Sequence, residues 1–433
     1  MYWEPQIEAM KRAALEDLQV RRLRATVAQC LKSPFYSAAL AARGLTADAV
    51  TSLADLQRLP FTTKEDLRTH YPYGLVTVPS RDLVRLHCSS GTTGNPTVIF
   101  HTAHDLQSWA NLVARSLYAV GARDTDVFQN ICGYGLFTGG LGFQYGAERL
   151  GALTIPAGAG NTRRQIKLMQ DFGTTVVHAI PSYLGRLHDV FVELGLDPRR
   201  DTKLRILVIG AEPHSEETRR RIENLFGVKA FNSYGLSEMS GPGVAFECEH
   251  QTGLHLWEDA FLPEIVNPDT LEPVPPGERG ELVLTTLDRQ GMPILRYRTR
   301  DLTRFLPVAC PCGRTHRLID RITGRSDDMF IIKGCNIFPI QIERVLMRIP
   351  EVGQDYLIVL ETSADNDEMR IEVELQPDCF TGDFAALEQL RRRIANAVRD
   401  EVLVTPHVKL LEPGKLPKAE GKAVRVRDER KVQ

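Results

Sequence analysis

No apolar run in this chain approaches the roughly 20 residues that a membrane-spanning helix needs, and the opening Met1-Tyr-Trp-Glu-Pro lacks the basic-then-apolar layout of a secretion signal. Cysteine is scarce: eight in 433 residues is too sparse for a disulfide-built scaffold. An excess of charge is missing as well. A net charge of −2 provides no long-range field for nucleic acid or an anionic membrane. The arginine clusters at Arg21–Arg24, Arg219–Arg221 and Arg391–Arg393 sit among apolar residues in helical patterns and read as solvated helix faces. No internal repeat or low-complexity segment appears. These absences point to a reduced, cytoplasmic globular protein with neither nucleic acid nor membrane as partner. A chain of 433 residues is long for one core, so two or more domains are expected.

What is present is an alternation. From His104 to about Phe231, helical segments (Asp105–Val120, Gln165–Asp171, Ser182–Leu194, Ser215–Phe226) are interleaved with short apolar strands at Asp126–Ile131, Ala152–Pro156, Thr175–Ala179, Ile206–Ile209 and Lys229–Asn232. That pattern predicts an α/β fold with a largely parallel sheet covered on both faces. Ligands of such sheets gather beyond the carboxyl ends of the strands, here Gly133-Tyr-Gly, Ile180-Pro-Ser-Tyr, Gly210-Ala-Glu-Pro and Asn232-Ser-Tyr-Gly. Before this region, residues 5–31 have helical periodicity, and Thr62 with Asp66 marks a cap region. After it, His255–Trp257, Leu262–Val266, Gly280–Thr286 and Leu302–Phe305 suggest a small β region. The polar stretch Ile319–Asp328 is a linker candidate. The remainder reads as a compact α+β domain, with Pro339 opening a helix, strands at Met329–Ile332, Asp355–Glu361, Met369–Leu375 and Val408–Leu411, and a helix over Ala385–Val402. The expected division is a large N-terminal domain, 1–326, and a small C-terminal domain, 327–433.

Between the β-prone runs Val84–His87 and Thr97–His101 lies Ser89-Ser-Gly-Thr-Thr-Gly-Asn-Pro96, a loop of small, hydroxylated and glycine residues. Gly91 and Gly94 permit positive φ, so successive N–H groups can face one concavity, and Ser89, Ser90, Thr92 and Thr93 add hydroxyl donors. This is the chemistry of a polyphosphate cradle, although a polar hairpin turn has the same composition. It is not a Walker A loop, which needs G-x-x-x-x-G-K-[ST] and a following helix.

Downstream motifs bear on the choice. Ser89–Pro96, Tyr234-Gly-Leu-Ser-Glu238, Tyr297-Arg-Thr-Arg-Asp301, Gly324-Arg325-Ser-Asp-Asp and Glu420-Gly-Lys422-Ala occur in this order. Together they resemble the adenylate-forming superfamily of acyl-CoA synthetases, adenylation domains and luciferases. Pro60-Phe-Thr-Thr-Lys-Glu-Asp-Leu67, the glycine-rich segment from Gly133, and Phe330-Ile-Ile-Lys-Gly-Cys-Asn-Ile-Phe-Pro339 are similar to the phenylacetate–CoA ligase family within it. The resemblance covers nearly the whole chain.

That resemblance implies ATP, Mg²⁺ and coenzyme A, and a reaction in which a carboxylate attacks the α-phosphate of ATP. Charge on the phosphates must then be neutralised. Glu238, in a glycine turn past a strand end, can hold Mg²⁺ against ATP oxygens. Lys422, on a tail punctuated by glycine and proline, resembles the cation that bridges carboxylate and α-phosphate. Tyr234 resembles the residue that stacks on adenine, with Gly210, Ala211, Glu212 and Pro213 as the adenine-side loop and Asn232, Gly235 and Ser237 beside it. Asp301 can accept from ribose hydroxyls and Arg325 adds a forked contact to ribose or phosphate. Asp327 matches the hinge about which family members rotate the C-terminal domain. Lys333, Gly334 and Cys335 lie where CoA would enter. Relatives commonly carry Lys where this chain has Asn95, so the loop is expected to position the β- and γ-phosphates without a cation of its own.

An aromatic acid such as phenylacetate is the expected substrate, with Tyr134, Phe137, Phe143, Ile180 and Ala211 as candidate pocket walls; ordinary core packing is the competing reading of the aromatics. An adenylating enzyme serving a carrier protein or another acceptor is one alternative, and a catalytically inactive nucleotide- and zinc-binding regulator another. A homodimer is a family-level expectation. Finally, Cys310-Pro-Cys312 follows Cys248-Glu-His250-Gln-Thr-Gly-Leu-His255 by about sixty residues. Three thiols and a histidine make a Cys₃His set suited to structural zinc, with His255 favoured and His250 and His316 as competing nitrogens. Unliganded thiols are the alternative. The other cysteines suggest no metal partner.

Overall fold

The alternation of apolar strands and amphipathic helices folds as the α/β pattern expects, in a computed structural model that describes residues 1–89, 95–363, 366–380, 383–416 and 423–430. The chain divides into two compact units: residues 1–179, 202–211 and 231–321 form the first, and 180–201, 212–230 and 322–433 the second.

In the first unit, β1 (Leu83–Cys88) and β2 (Val98–Thr102) pair antiparallel, Cys88 opposite Val98, and so bracket the Ser/Thr/Gly loop. The main sheet contains β3 (Val127–Asn130), β4 (Leu153–Ile155), β5 (Val176–Ala179), β6 (Ile206–Gly210), β7 (Lys229–Leu236), β8 (Gly241–Phe246), β9 (Leu254–Leu256) and a short strand at Leu318–Ile319. Its order is Leu318–Ile319, β9, β8, β7, β6, β5, β3, β4. β4, β3, β5 and β6 pair in parallel. Both β5 and β6 are buried at every position, which the unbroken Ile-Leu-Val-Ile run of β6 anticipates, while β5 buries His178 among its apolar residues.

The other half of the sheet is a departure. His255–Trp257 was expected in a separate β region; instead β8 pairs antiparallel with β7, and β9 antiparallel with β8, extending the main sheet. The chain reverses after β7 because Ser240 (φ 76°) and Gly241 (φ 112°) take left-handed conformations. A Cβ on Gly241 would meet that of Thr138 at 2.5 Å. Another strand surfaces where sequence charge hides it. Tyr297–Thr303 alternates buried and half-buried positions. Tyr297, Thr299 and Asp301 are buried, while Arg298 and Arg300 turn to the buried carboxylate of Glu281 at 2.6 and 3.7 Å. The expected strand at Leu302–Phe305 is therefore the end of a longer one that completes a three-stranded antiparallel sheet with Phe261–Val266 and Gly280–Thr286.

The helix Ala103–Ala119 starts from a capping box in which Asp105 accepts from the Thr102 N–H at 2.9 Å. It packs closely on Thr138–Leu150 because that helix presents Gly142 and Gly146, where a Cβ would lie 2.4 Å from Trp109 and 2.3 Å from Val113. Two glycines of the glycine-rich segment after Gly133 thus serve helix packing. One cap shifts by a residue: Thr63, not Thr62, caps Lys64–Thr69. Thr62 is buried, donating to the Leu295 carbonyl at 2.7 Å and bonded to the Tyr36 hydroxyl.

In the second unit, a four-stranded sheet runs His407–Leu411, Asn366–Leu375, Val352–Ser363, Val426–Asp428. The helix Phe384–Val402 buries Leu390, Ile394, Val398 and Val402, one residue per turn, in a core shared with Ile358, Ile371 and Val373. Pro339 opens its helix at the first position. Among the described residues no helix is long and apolar enough to cross a membrane.

Candidate active site and candidate metal centre

β7 carries Asn232-Ser-Tyr-Gly to the turn that holds Glu238. The Tyr234 hydroxyl donates to Asp301 Oδ2 at 2.6 Å, so the adenine-side and ribose-side candidates, which lie on different sheets, meet in a buried, charge-assisted hydrogen bond. The Asp301 N–H donates to Thr299 Oγ1 at 3.0 Å, fixing the carboxylate's backbone. Gly210 approaches Ser233 so closely that a Cβ would fall 2.3 Å from the Ser233 hydroxyl, and Ala211 beyond it is left-handed at φ 69°. Asn232 donates its N–H to Glu247 at 2.7 Å. Beyond Gly235, Ser237–Met239 form one 3₁₀ turn in which Glu238 is buried.

A residue outside every motif holds that turn. Arg289 is buried, and its guanidinium donates to the Glu238 carbonyl at 2.7 Å, to Ser240 Oγ at 2.6 Å and to the Met292 carbonyl at 3.3 Å. Burial lowers its pKa to about 10. No sequence signal marks it, because one arginine in Leu287-Asp-Arg-Gln-Gly-Met292 has neither motif nor periodicity.

Around the loop, Ser89 Oγ accepts from Thr97 Oγ1 at 2.7 Å and from the Thr97 N–H at 3.3 Å, closing the neck of the hairpin. Ser90, Gly91, Thr92, Thr93, Gly94 and Lys422 lie outside the described residues. Tyr134 accepts from Asn130 at 3.1 Å, and burial pushes its phenol up to about 12. Phe137 is partly exposed, whereas Phe143 is fully buried and stacks on His178 at 3.7 Å between ring centroids. In the second unit Ile180 precedes the helix Pro181–Glu193, and Glu212, its carboxyl pushed up by burial, accepts from the Ser182 N–H at 2.9 Å. Arg325 forms a forked pair with Asp327, both contacts at 2.9 Å, joining the proposed ribose contact to the proposed hinge. Lys333 and Gly334, at φ 51° and 81°, make the exposed two-residue turn of the hairpin Phe330–Ile332/Cys335–Ile337.

The cysteines converge. The ligand atoms of Cys248, His255, Cys310 and Cys312 all lie within 4.8 Å of one another. Cys248 and Cys310 sulfurs are 3.4 Å apart, and Cys312 Sγ is 3.3 Å from His255 Nε2. A tetrahedral zinc with Zn–S of about 2.3 Å places its ligands at comparable separations, so the donor set fits the ion in type and spacing. The Cys248 thiol and the His255 ring hold Cys312 well below the ordinary thiol range. His316 is occupied elsewhere: its Nδ1 accepts from the Glu258 N–H at 2.9 Å and its Nε2 lies 3.2 Å from the Ile7 carbonyl.

Residues 13–287 match the AMP-binding enzyme family and residues 334–430 the AMP-binding enzyme C-terminal domain. Phenylacetate-coenzyme A ligase of Thermus thermophilus is 46% identical over the whole of both chains. The enzyme of the same name from Escherichia coli is 42% identical, covering 98% of this chain and 97% of its own. A crystal structure of 2-hydroxyisobutyryl-CoA ligase in the postadenylation state, in complex with 2-HIB-AMP, is 31% identical and superposes with a TM-score of 0.93 over 99% of this chain and 92% of that one. With its motifs in order along an α/β fold of this kind, the chain belongs to the phenylacetate–coenzyme A ligase family of AMP-binding enzymes.

Proposed function

We propose that the protein joins phenylacetate, or an aryl acid of the same class, to coenzyme A at the expense of ATP. The acid's carboxylate oxygen attacks the α-phosphorus, the bond to the β-phosphate oxygen breaks, and pyrophosphate leaves. The CoA thiol then attacks the acyl carbonyl, AMP leaves with the former carboxylate oxygen, and the thiol proton passes to solvent. The observation that carries this reading is the Tyr234–Asp301 hydrogen bond on the strand leading into the Glu238 turn, which lets one short segment address adenine, ribose and metal together. Glu238 supplies a hard carboxylate oxygen to Mg²⁺, Lys422 the cation between acid and α-phosphate, and the Ser89–Gly94 loop the donors to the distal phosphates. Lys333, Gly334 and Cys335 border the CoA path, Arg325 contacts ribose or phosphate, and Asp327 is the hinge. Cys248, His255, Cys310 and Cys312 hold zinc in a structural role, since four protein ligands leave no open position for chemistry.

A panel of acids assayed for AMP release with and without CoA tests the reading. Phenylacetate is expected to give sustained, CoA-dependent release. No release with any aryl acid would reject ligase activity, and release independent of CoA would redirect the acyl group to another acceptor. Within the site, Tyr234→Phe removes a buried donor from the Asp301 carboxylate. Loss of a hydrogen bond to a charged group is worth about 1.5–3 kcal/mol, so the KM for ATP should rise about tenfold or more while the KM for phenylacetate stays near its parent value. Steady-state kinetics with each substrate varied in turn reads this directly.

A further inference from the structure

Arg289 is a charged group with an unusual set of partners. Among the described residues it makes no ion pair; every hydrogen bond goes to an uncharged oxygen, the carbonyls of Glu238 and Met292 and the hydroxyl of Ser240. The carboxylates of Asp105 and Glu238 act on it only through space, and a buried guanidinium with no carboxylate in hydrogen-bond contact is costly, so cores normally avoid it unless the cation has a specific task. The contacts show where the charge is directed. Two of the three acceptors lie on the four-residue segment Ser237–Ser240, one the Glu238 carbonyl itself and the other the hydroxyl two residues on.

The base from which Arg289 reaches is itself anchored. Asp105, at the start of the helix Ala103–Ala119, accepts from the N–H groups of Gln290 at 2.7 Å and Gly291 at 2.9 Å. Asp288, on the other side of Arg289, accepts from Ser108 at 2.7 Å and contacts His104 at 3.2 Å. The segment Asp288–Gly291 is thus tied at both ends to one rigid helix. The turn it supports needs such a tie, because Ser240 sits at φ 76°, a conformation unfavourable for a residue with a Cβ.

We propose that Arg289 is a positioning residue for magnesium-dependent adenylation: its forked contacts to the Glu238 carbonyl and the Ser240 hydroxyl transmit the rigidity of the Ala103–Ala119 helix to the turn that presents the Glu238 carboxylate. The proposal rests on the reading of Glu238 as the magnesium-holding carboxylate. The fork matters as well as the charge, since a lysine ammonium is a point donor that cannot span both acceptors in one plane.

The test uses the full chain, phenylacetate, ATP and CoA, with pyrophosphate release followed as free Mg²⁺ is varied at fixed ATP. Arg289→Met, which keeps most of the volume, is expected to raise the Mg²⁺ concentration for half-maximal rate about fivefold to tenfold, a fraction of what its charged hydrogen bonds are worth, because they act on the metal only through the turn. The KM for phenylacetate should stay within about twofold. Arg289→Lys should recover part of the Mg²⁺ response, and Ser240→Ala should shift it by about twofold in the same direction. A folded Arg289→Met protein with the parent Mg²⁺ response overturns the proposal. So does one whose phenylacetate KM moves as far as its Mg²⁺ response, because that marks general disruption. If Arg289→Met fails to fold, Ser240→Ala carries the decision, and an unchanged Mg²⁺ response there overturns it. Glu238→Gln separates the two levels. If it keeps the parent Mg²⁺ response, the reading of Glu238 fails and the proposal falls with it; if it loses that response and Arg289→Met does not, the positioning role alone fails.

Discussion

Glu238→Gln is expected to slow acyl-adenylate formation by about 10²-fold to 10³-fold, the range typical when one preorganised electrostatic contact to developing charge is removed. The substitution is close to isosteric, and the turn does not depend on the carboxylate: Arg289 holds it through the Glu238 backbone carbonyl and Ser240. Folding and melting temperature should therefore change little. The effect should be confined to the first half-reaction, because the second consumes an adenylate from which pyrophosphate, and the charge that Mg²⁺ neutralises, has already gone. Rapid-mix measurement of pyrophosphate release from ATP and phenylacetate, set beside thioester formation from chemically prepared phenylacetyl-adenylate, distinguishes the two. A drop of less than tenfold in the first, or an equal drop in both, would remove Glu238 from the metal role.

The parts of this site that were legible in sequence are those where a short segment has to meet several constraints at once. Tyr234-Gly-Leu-Ser-Glu238 is readable because a strand end, a turn and a carboxylate fall within five residues. The parallel half of the main sheet is readable for a similar reason: strands buried on both faces need mostly apolar runs, as in Ile206–Gly210. The antiparallel extension was not, since Leu254–Leu256 is too short for periodicity and its place depends on the reversal at Ser240 and Gly241. The Tyr297–Thr303 strand was hidden by its own arginines, whose partner Glu281 is on a neighbouring strand far from them in sequence. Arg289 escaped for the same reason in stronger form. Its role is defined by acceptors about fifty residues away in sequence, and nothing near it announces them.

Removal of zinc is expected to have the largest effect on stability. Protein purified without chelator should contain one zinc per chain, and Cys310→Ser should lose it. The site's position sets the scale of the consequence. His255 lies on β9, which pairs with β8 on one side and with the edge strand Leu318–Ile319 on the other, while Cys310 and Cys312 belong to the segment that leads into that edge strand. The same segment ties down the amino terminus: Tyr2 donates to the Cys312 carbonyl at 3.1 Å, and Arg314 forms a buried ion pair with Glu8 at 2.6 Å. Without the ion, three thiols and an imidazole share a space in which each offers the others only weak hydrogen bonds, and nothing covalent links Cys248 to the Cys310–Cys312 turn. Loss of a structural metal belongs to the short list of changes that cost more than about 4 kcal/mol, equivalent to roughly 10 °C in the melting transition of a unit of this size. Because the ligand set is closed, activity measured well below that transition should persist in Cys310→Ser, with Mg²⁺ dependence unchanged. Metal analysis with a melting curve before and after chelation decides the matter: absence of zinc together with an unchanged transition would reject a structural ion, and loss of turnover at low temperature in a folded, zinc-free variant would reject its separation from the chemistry.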